Sequence, residues 1–158
     1  MAAMFARCTS FNSDLSKWNM SSVKNLDAMF QDATNFNSDI SSWDVGSVWN
    51  FPLVLLLSFM CKHSHLLLLS QVSNVTSRWG FWSMFMGATS FNIDLSAWNI
   101  SGESSMEFMF QNATSFNQNL CSWKERFPYD DAADIFEGSA CTNTTLGIQQ
   151  GPFCASNC

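Results

Sequence analysis

Met29-Phe30-Gln31-Asp32-Ala33-Thr34-Asn35-Phe36-Asn37-Ser38-Asp39-Ile40-Ser41-Ser42-Trp43 is the phrase on which the reading of this chain turns. Three other copies carry its anchors: Met4-Phe5 with Phe11-Asn12 and Trp18, Met84-Phe85 with Phe91-Asn92 and Trp98, and Met109-Phe110 with Phe116-Asn117 and Trp123. The step from Met4 to Met29 equals that from Met84 to Met109, a 25-residue period within each pair of copies. Self-similarity at a fixed period of this length marks a stacked repeat array. Such arrays serve more often as binding surfaces or scaffolds than as catalysts.

The second copy can be read residue by residue. Ser21-Ser22 offers a helix N-cap, and Val23, Leu26, Phe30 and Ala33 follow at helical spacing, which predicts a short helix over 23–32. Thr34 to Ser38 is a polar turn around one inward aromatic, Phe36. Asp39 to Val45 then predicts a short strand, with Ile40 inside and Trp43 near one edge. The expected fold class is therefore α/β: a right-handed solenoid with one short strand and one short helix per 25-residue repeat.

The middle step breaks the period. From Trp43 to Trp98 the chain runs more than two periods, and the surplus falls in Val45 to Gln71. Removing that segment joins Trp43-Asp44 to Val72, restores the Trp-to-Val step of Trp18 to Val23, and leaves a short surplus near Arg78 to Trp82. Every Val codon begins with GT, a Gln codon can end in AG, and a segment of whole codons keeps the frame. The segment is accordingly hypothesised to be a translated intron. Transcript reads running through it, with none spliced, would remove that hypothesis. As a membrane span, the apolar run 51–69 is interrupted by Lys62, His63 and His65, which are expensive in lipid. Membrane contact is not expected unless that run is a genuine span. His63 and His65, close in sequence but without a nearby Cys or Glu constellation, do not make a metal site.

The organisation that follows is repeats over 1–44, an anomalous apolar insert over 45–71, repeats over 72–126 and a Cys-containing C-terminal cap over 127–158. The chain opens in mid-phrase and shows no apolar leader, so it is read as a fragment of a longer array lacking its N-terminal cap. A formal charge of −6 with only 13% charged residues gives no electrostatic footprint for nucleic acid. Solubility must come from Ser, Asn, Thr and Gln, while 15 Phe and 7 Trp supply the core.

Cys121, Cys141, Cys154 and Cys158 lie together near the C-terminus, and four cysteines allow three pairings among which sequence does not choose. They suit a disulfide-stapled cap in an oxidising compartment. Cys8 takes the slot of Ala33, Ala88 and Ala113 and is read as a small buried residue. Asn19, Asn74, Asn99, Asn112 and Asn143 head Asn-x-Ser/Thr triplets and are glycosylation candidates.

Three rows recur once per repeat. Asn12, Asn37, Asn92 and Asn117 are expected to form a structural ladder, each amide satisfying turn backbone on its own or the next coil. Asp14, Asp39 and Asp94, with Asn119 in the fourth copy, make a second row. One carboxylate per coil is a thin donor set for calcium, so turn capping is preferred. Trp18, Trp43, Trp98 and Trp123 form either a core layer or an exposed aromatic stripe suited to stacking on sugar or peptide, and such periodicity favours core.

Taken together, Phe-Asn-x-Asp-Leu/Ile-Ser-x-Trp followed by Met-Phe-x-x-Ala-Thr-x-Phe-Asn resembles the BspA-type leucine-rich repeat, a domain of unknown function abundant in mycoplasma surface proteins. The resemblance covers Met4 to Asp44 and Val72 to Trp123, with departures at Val45 to Gln71 and at Gly102-Glu103. The tail from Phe127-Pro128-Tyr129 to Phe153-Cys154-Ala155 looks like the ending of such arrays in algal and other protist proteins. The resemblance implies a leucine-rich-repeat-like solenoid and an extracellular or cell-surface location. It implies adhesion or recognition, with no catalytic residue and no cofactor. No nucleophile–base–acid set can be assembled without His63 and His65. The expected function is a non-catalytic repeat module of a surface or secreted protein, binding an unknown protein or glycan through the solenoid face. The alternatives are a structural cell-wall or matrix repeat without a discrete ligand, or a non-functional gene-model fragment.

Overall fold

In the computed structural model the described residues are 1–48, 80–100, 104–141 and 153–154. The apolar run 51–69, His63, His65, Asn74, Asn143, Cys158 and the Gly102-Glu103 departure lie outside them.

The expected α/β solenoid of one strand and one helix per repeat is overturned. Regular structure among the described residues is limited to two 3-10 helices, Cys121–Arg126 and Tyr129–Asp131, and one isolated parallel bridge between Gly80 and Ser105. The chain is instead a stack of turns. Over the stretch predicted to be helical, Met29 N–H donates to Leu26 O, Gln31 N–H to Ala28 O and Ala33 N–H to Phe30 O. The alternate amides turn outward: Ala28, Phe30 and Asp32 donate to Trp82, Met84 and Met86 carbonyls at 2.7–2.9 Å. An α-helix satisfies its interior amides within itself. Here half of them bond to another part of the chain, so the segment is flat where a helix would be round.

Backbone dihedrals show why. Ala28 and Asp32 sit at φ 51° and 55°, in the left-handed region that an α-helix interior excludes. The same pair recurs as Ala3 and Arg7, Ser83 and Gly87, Phe108 and Asn112, and Asp134 and Gly138. Each pair brackets one tier of the stack, and there are five among the described residues. Inward apolar residues three and four apart are compatible with successive three-residue turns as well as with a helix, which is how the pattern misled.

The predicted strand over Asp39 to Val45 is also a pair of turns. Ser41 N–H donates to Asp39 Oδ1 at 3.0 Å, and Trp43 N–H to Ile40 O at 3.1 Å. Asx side chains favour such local closure over a ladder.

Tiers pack through aromatic columns. Phe5, Phe30, Phe85, Phe110 and Phe136 stack face to face at 5.5–5.8 Å, with ring planes within 9°. Phe11, Phe36, Phe91 and Phe116 form a second column at 5.9–6.0 Å. The columns touch within each of the first four tiers at 3.8–4.0 Å. A fully buried ring contributes about 2–3 kcal/mol through burial alone, so these columns dominate the cohesion of the molecule. The second and third tiers are neighbours although Phe30 and Phe85 lie more than twice as far apart in sequence as Phe5 and Phe30. Their rings are 5.8 Å apart, against 5.6 Å for the shorter step.

Candidate functional site

Side chains on one flank are held in rows by bonds between tiers. Asn12 Oδ1 accepts the Asn37 N–H at 2.8 Å, Asn37 Oδ1 that of Asn92 at 2.9 Å, and Asn92 Oδ1 that of Asn117 at 2.9 Å. All four asparagines are exposed. Ser38 Oγ reinforces the first rung through Asn12 Oδ1, and Gln118 Nε2 the third through Asn92 Oδ1, both at 2.9 Å. Beside them, Thr34, Thr89 and Thr114 hydroxyls donate to the carbonyls of Thr9, Thr34 and Thr89 at 3.3–3.4 Å. In Asn12, Asn37 and Asn92 the Oδ1 is engaged between tiers while the residue stays exposed. The result is a column of exposed side-chain amides.

The neighbouring Asx row caps its own turns. Asp14, Asp39, Asp94 and Asn119 each accept the N–H two residues on, at 2.8–3.0 Å. The Ser16 hydroxyl and N–H hold the exposed Asp14 carboxyl below its ordinary value. The Ser41 N–H and hydroxyl do the same for Asp39. Among the described residues no group of three or more His, Cys, Asp or Glu side chains is placed to hold a metal ion.

The tryptophans divide. Trp43, Trp98 and Trp123 are 3%, 3% and 1% exposed, whereas Trp18 is 36% exposed. The Nε1–H groups of the buried three donate to Leu15, Ile40 and Leu95 carbonyls of the tier before. Three of the four are therefore core and leave no continuous stripe for stacking on a ligand. Trp18 stands open because no described tier precedes it.

Of the glycosylation candidates, Asn19, Asn99 and Asn112 are exposed. Asn19 Oδ1 closes a turn with the Ser21 N–H and hydroxyl. Asn99 Oδ1 accepts from the Arg126 guanidinium. Asn112 occupies a left-handed position at φ 57°. Cys141 and Cys154 are disulfide-bonded to each other, with Cα atoms 4.8 Å apart. Cys121 is disulfide-bonded as well, and so is Cys8, which its Ala-like slot did not suggest.

Two features escaped the sequence. Residues 134–138 form a fifth tier, with Phe110 N–H donating to Ile135 O and Phe136 continuing the first aromatic column. The other is Asp27, a nearly buried carboxylate at the junction of the second and third tiers. It accepts Gly80 N–H at 2.7 Å, Trp82 N–H at 3.2 Å and Asn25 Nδ2 at 2.8 Å. Burial lifts its carboxyl to about 6, against the lowering pull of those donors.

The chain belongs to the family described as "Mycoplasma protein of unknown function, DUF285", whose model matches residues 1–77 and 49–148. No curated protein and no solved structure matches it.

Proposed function

We propose that this chain is a non-catalytic recognition module of a surface or secreted protein, engaging a protein or glycan partner through its exposed asparagine and threonine rows. The observation that carries the reading is the exposed ladder in which the Asn12, Asn37 and Asn92 side chains are held by the N–H groups of Asn37, Asn92 and Asn117. Uncharged donors at fixed spacing match oxygen-rich surfaces, whether peptide carbonyls or sugar hydroxyls. Side chains already held by inter-tier bonds lose little rotamer freedom on binding, which removes about 0.5–1.5 kcal/mol of cost per side chain. Kinship to BspA-type proteins and a protist source belong to this proposal as matters of sequence likeness. They rest on the repeated phrase and on the tail residues Phe127-Pro128-Tyr129.

The test is an array of glycans and extracellular proteins probed with the chain. Saturable binding that is lost on Asn37→Asp and Asn92→Asp, with unfolding midpoint preserved, supports the reading. No saturable binding at high concentration overturns it in favour of a purely structural matrix component.

A further inference from the structure

The flank that carries the asparagine and threonine rows is chemically uniform. Residues 9–13, 34–38, 89–93 and 114–118 contain no charged side chain. Their Thr, Phe and Asn positions coincide in all four tiers, and the position after each Thr holds only Ser or Asn. The asparagine rungs measure 2.8–2.9 Å whether the joined residues lie 25 or 55 apart in sequence. The threonine hydroxyl bonds repeat in the same way at 3.3–3.4 Å. Layers hydrogen-bonded to one another succeed each other at about 4.8 Å, so this flank presents one small polar pattern at a fixed interval.

The turn flank has no such uniformity. Arg7, Asp32, Gly87 and Asn112 take the same left-handed position in successive tiers, so charge there varies along the stack. The difference bears on what each flank can select. A folded protein surface is irregular, and it would meet its complement on one tier and a mismatch on the next. A polymer with one unit per tier repeats the same contact, and each bound unit raises the effective concentration of its neighbours.

Charge narrows the polymer further. The flank offers no cation to a sulfated or uronic-acid chain, and the adjacent Asp14, Asp39 and Asp94 repel one. Trp43, Trp98 and Trp123 are buried, so these rings give no platform for a sugar face. Binding must come from hydrogen bonds, each worth little in water, acting over several units at once. An extended β-1,4-linked chain of neutral sugars meets all of these conditions. It is uncharged and rich in hydroxyls, and its units follow one another at nearly the tier interval.

We infer that the asparagine and threonine flank binds a neutral β-1,4-linked polysaccharide lying along the stack, one sugar per tier. The inference rests on the recognition role proposed above for the same face, and it selects the glycan over the protein.

The experiment measures, by calorimetry, the binding of β-1,4-linked disaccharides and tetrasaccharides of glucose and of N-acetylglucosamine. The α-1,4-linked glucose tetrasaccharide is the control, since it carries the same hydroxyls on a chain that coils. In one β-linked series or the other, the tetrasaccharide binds about tenfold or more tighter than the disaccharide, and the control fails to match it. Asn35→Leu with Ser90→Leu puts branched apolar bulk at exposed positions of the second and third tiers. The pair weakens tetrasaccharide binding by about tenfold or more at an unchanged unfolding midpoint, whereas Gln31→Leu on the turn flank does not. Equal affinity for the two lengths in both β-linked series overturns the inference, as does equal binding of the α-linked control. If the chain captures a protein from the array while every β-linked sugar fails, the recognition role stands and this inference falls. Silence from array and sugars together removes both.

Discussion

The indole N–H of Trp43 donates to the carbonyl of Leu15, 28 residues earlier, at 2.9 Å in a buried setting. This bond is one of several that join the second tier to the first, and it fixes the ring against the core. Trp43→Phe keeps an aromatic at the site but removes this bond and leaves a void, while the Leu15 carbonyl still accepts the Trp18 N–H at 3.0 Å. The expected loss is about 1–2 kcal/mol in chemical denaturation, from the lost bond together with lost packing. Trp18→Phe, at the open face, is expected to shift stability by less than about 0.5 kcal/mol.

Asp27 makes stability depend on pH in an unusual direction. Its folded carboxyl titrates at about 6 against an ordinary 3.8, so between those values the folded state binds the proton more tightly than the unfolded chain. The contribution is greatest below about pH 4 and is lost as pH rises through 6, amounting to on the order of 2–3 kcal/mol. Asp27→Asn removes that slope while its oxygen still accepts from Gly80 and Trp82. After allowance for the lost Asn25 bond, a net gain of about 1 kcal/mol is expected at pH 7. Denaturation midpoints across pH 4–7 for the two proteins check it; parallel curves would contradict the assignment.

Ser83 combines two local penalties. Its hydroxyl is fully buried with no hydrogen-bond partner among the described residues, and its φ is 51°. Glycine at this position removes the orphan group and relaxes the left-handed backbone, with some loss to unfolded-chain entropy. Ser83→Gly is expected to stabilise by about 1 kcal/mol in urea titration. The amide bond from Ser83 to Glu107 survives the change.

The Cys141–Cys154 bridge closes 13 residues of sequence beside the fifth tier. Replacing both cysteines with alanine costs about 3 kcal/mol by the loop-entropy argument. Local proteolysis after Phe136 is expected to accelerate while exchange in the second and third tiers stays slow. A uniform loss of protection along the whole chain would show instead that the stack melts as one unit.

The inward positions of Phe30, Phe36, Ile40 and Ala33 were legible in the sequence, because burial follows hydrophobicity at a repeated spacing whatever backbone carries it. The backbone itself was not. Left-handed dihedrals at Ala28, Ser83 and Phe108 carry no residue signal, since none of these is the Gly or Asn that such positions favour. Helix and stacked turns share a three-to-four residue rhythm, and what separates them is where alternate amides bond, a long-range fact. The fifth tier was hidden because Ile135-Phe136 replaces Met-Phe, and no Phe-Asn or Trp follows at the usual distance. Asp27 was silent for a similar reason: its donors Gly80 and Trp82 lie 53 and 55 residues away.

The junction between the second and third tiers has one more implication. Its contacts are those of any other junction, yet the intervening chain is more than twice as long. Closing a loop of doubled length costs only about 0.6 kcal/mol in chain entropy, less than one buried methylene contributes. The interface between these tiers thus keeps one geometry whether the two halves of a bond stand 25 or 55 residues apart.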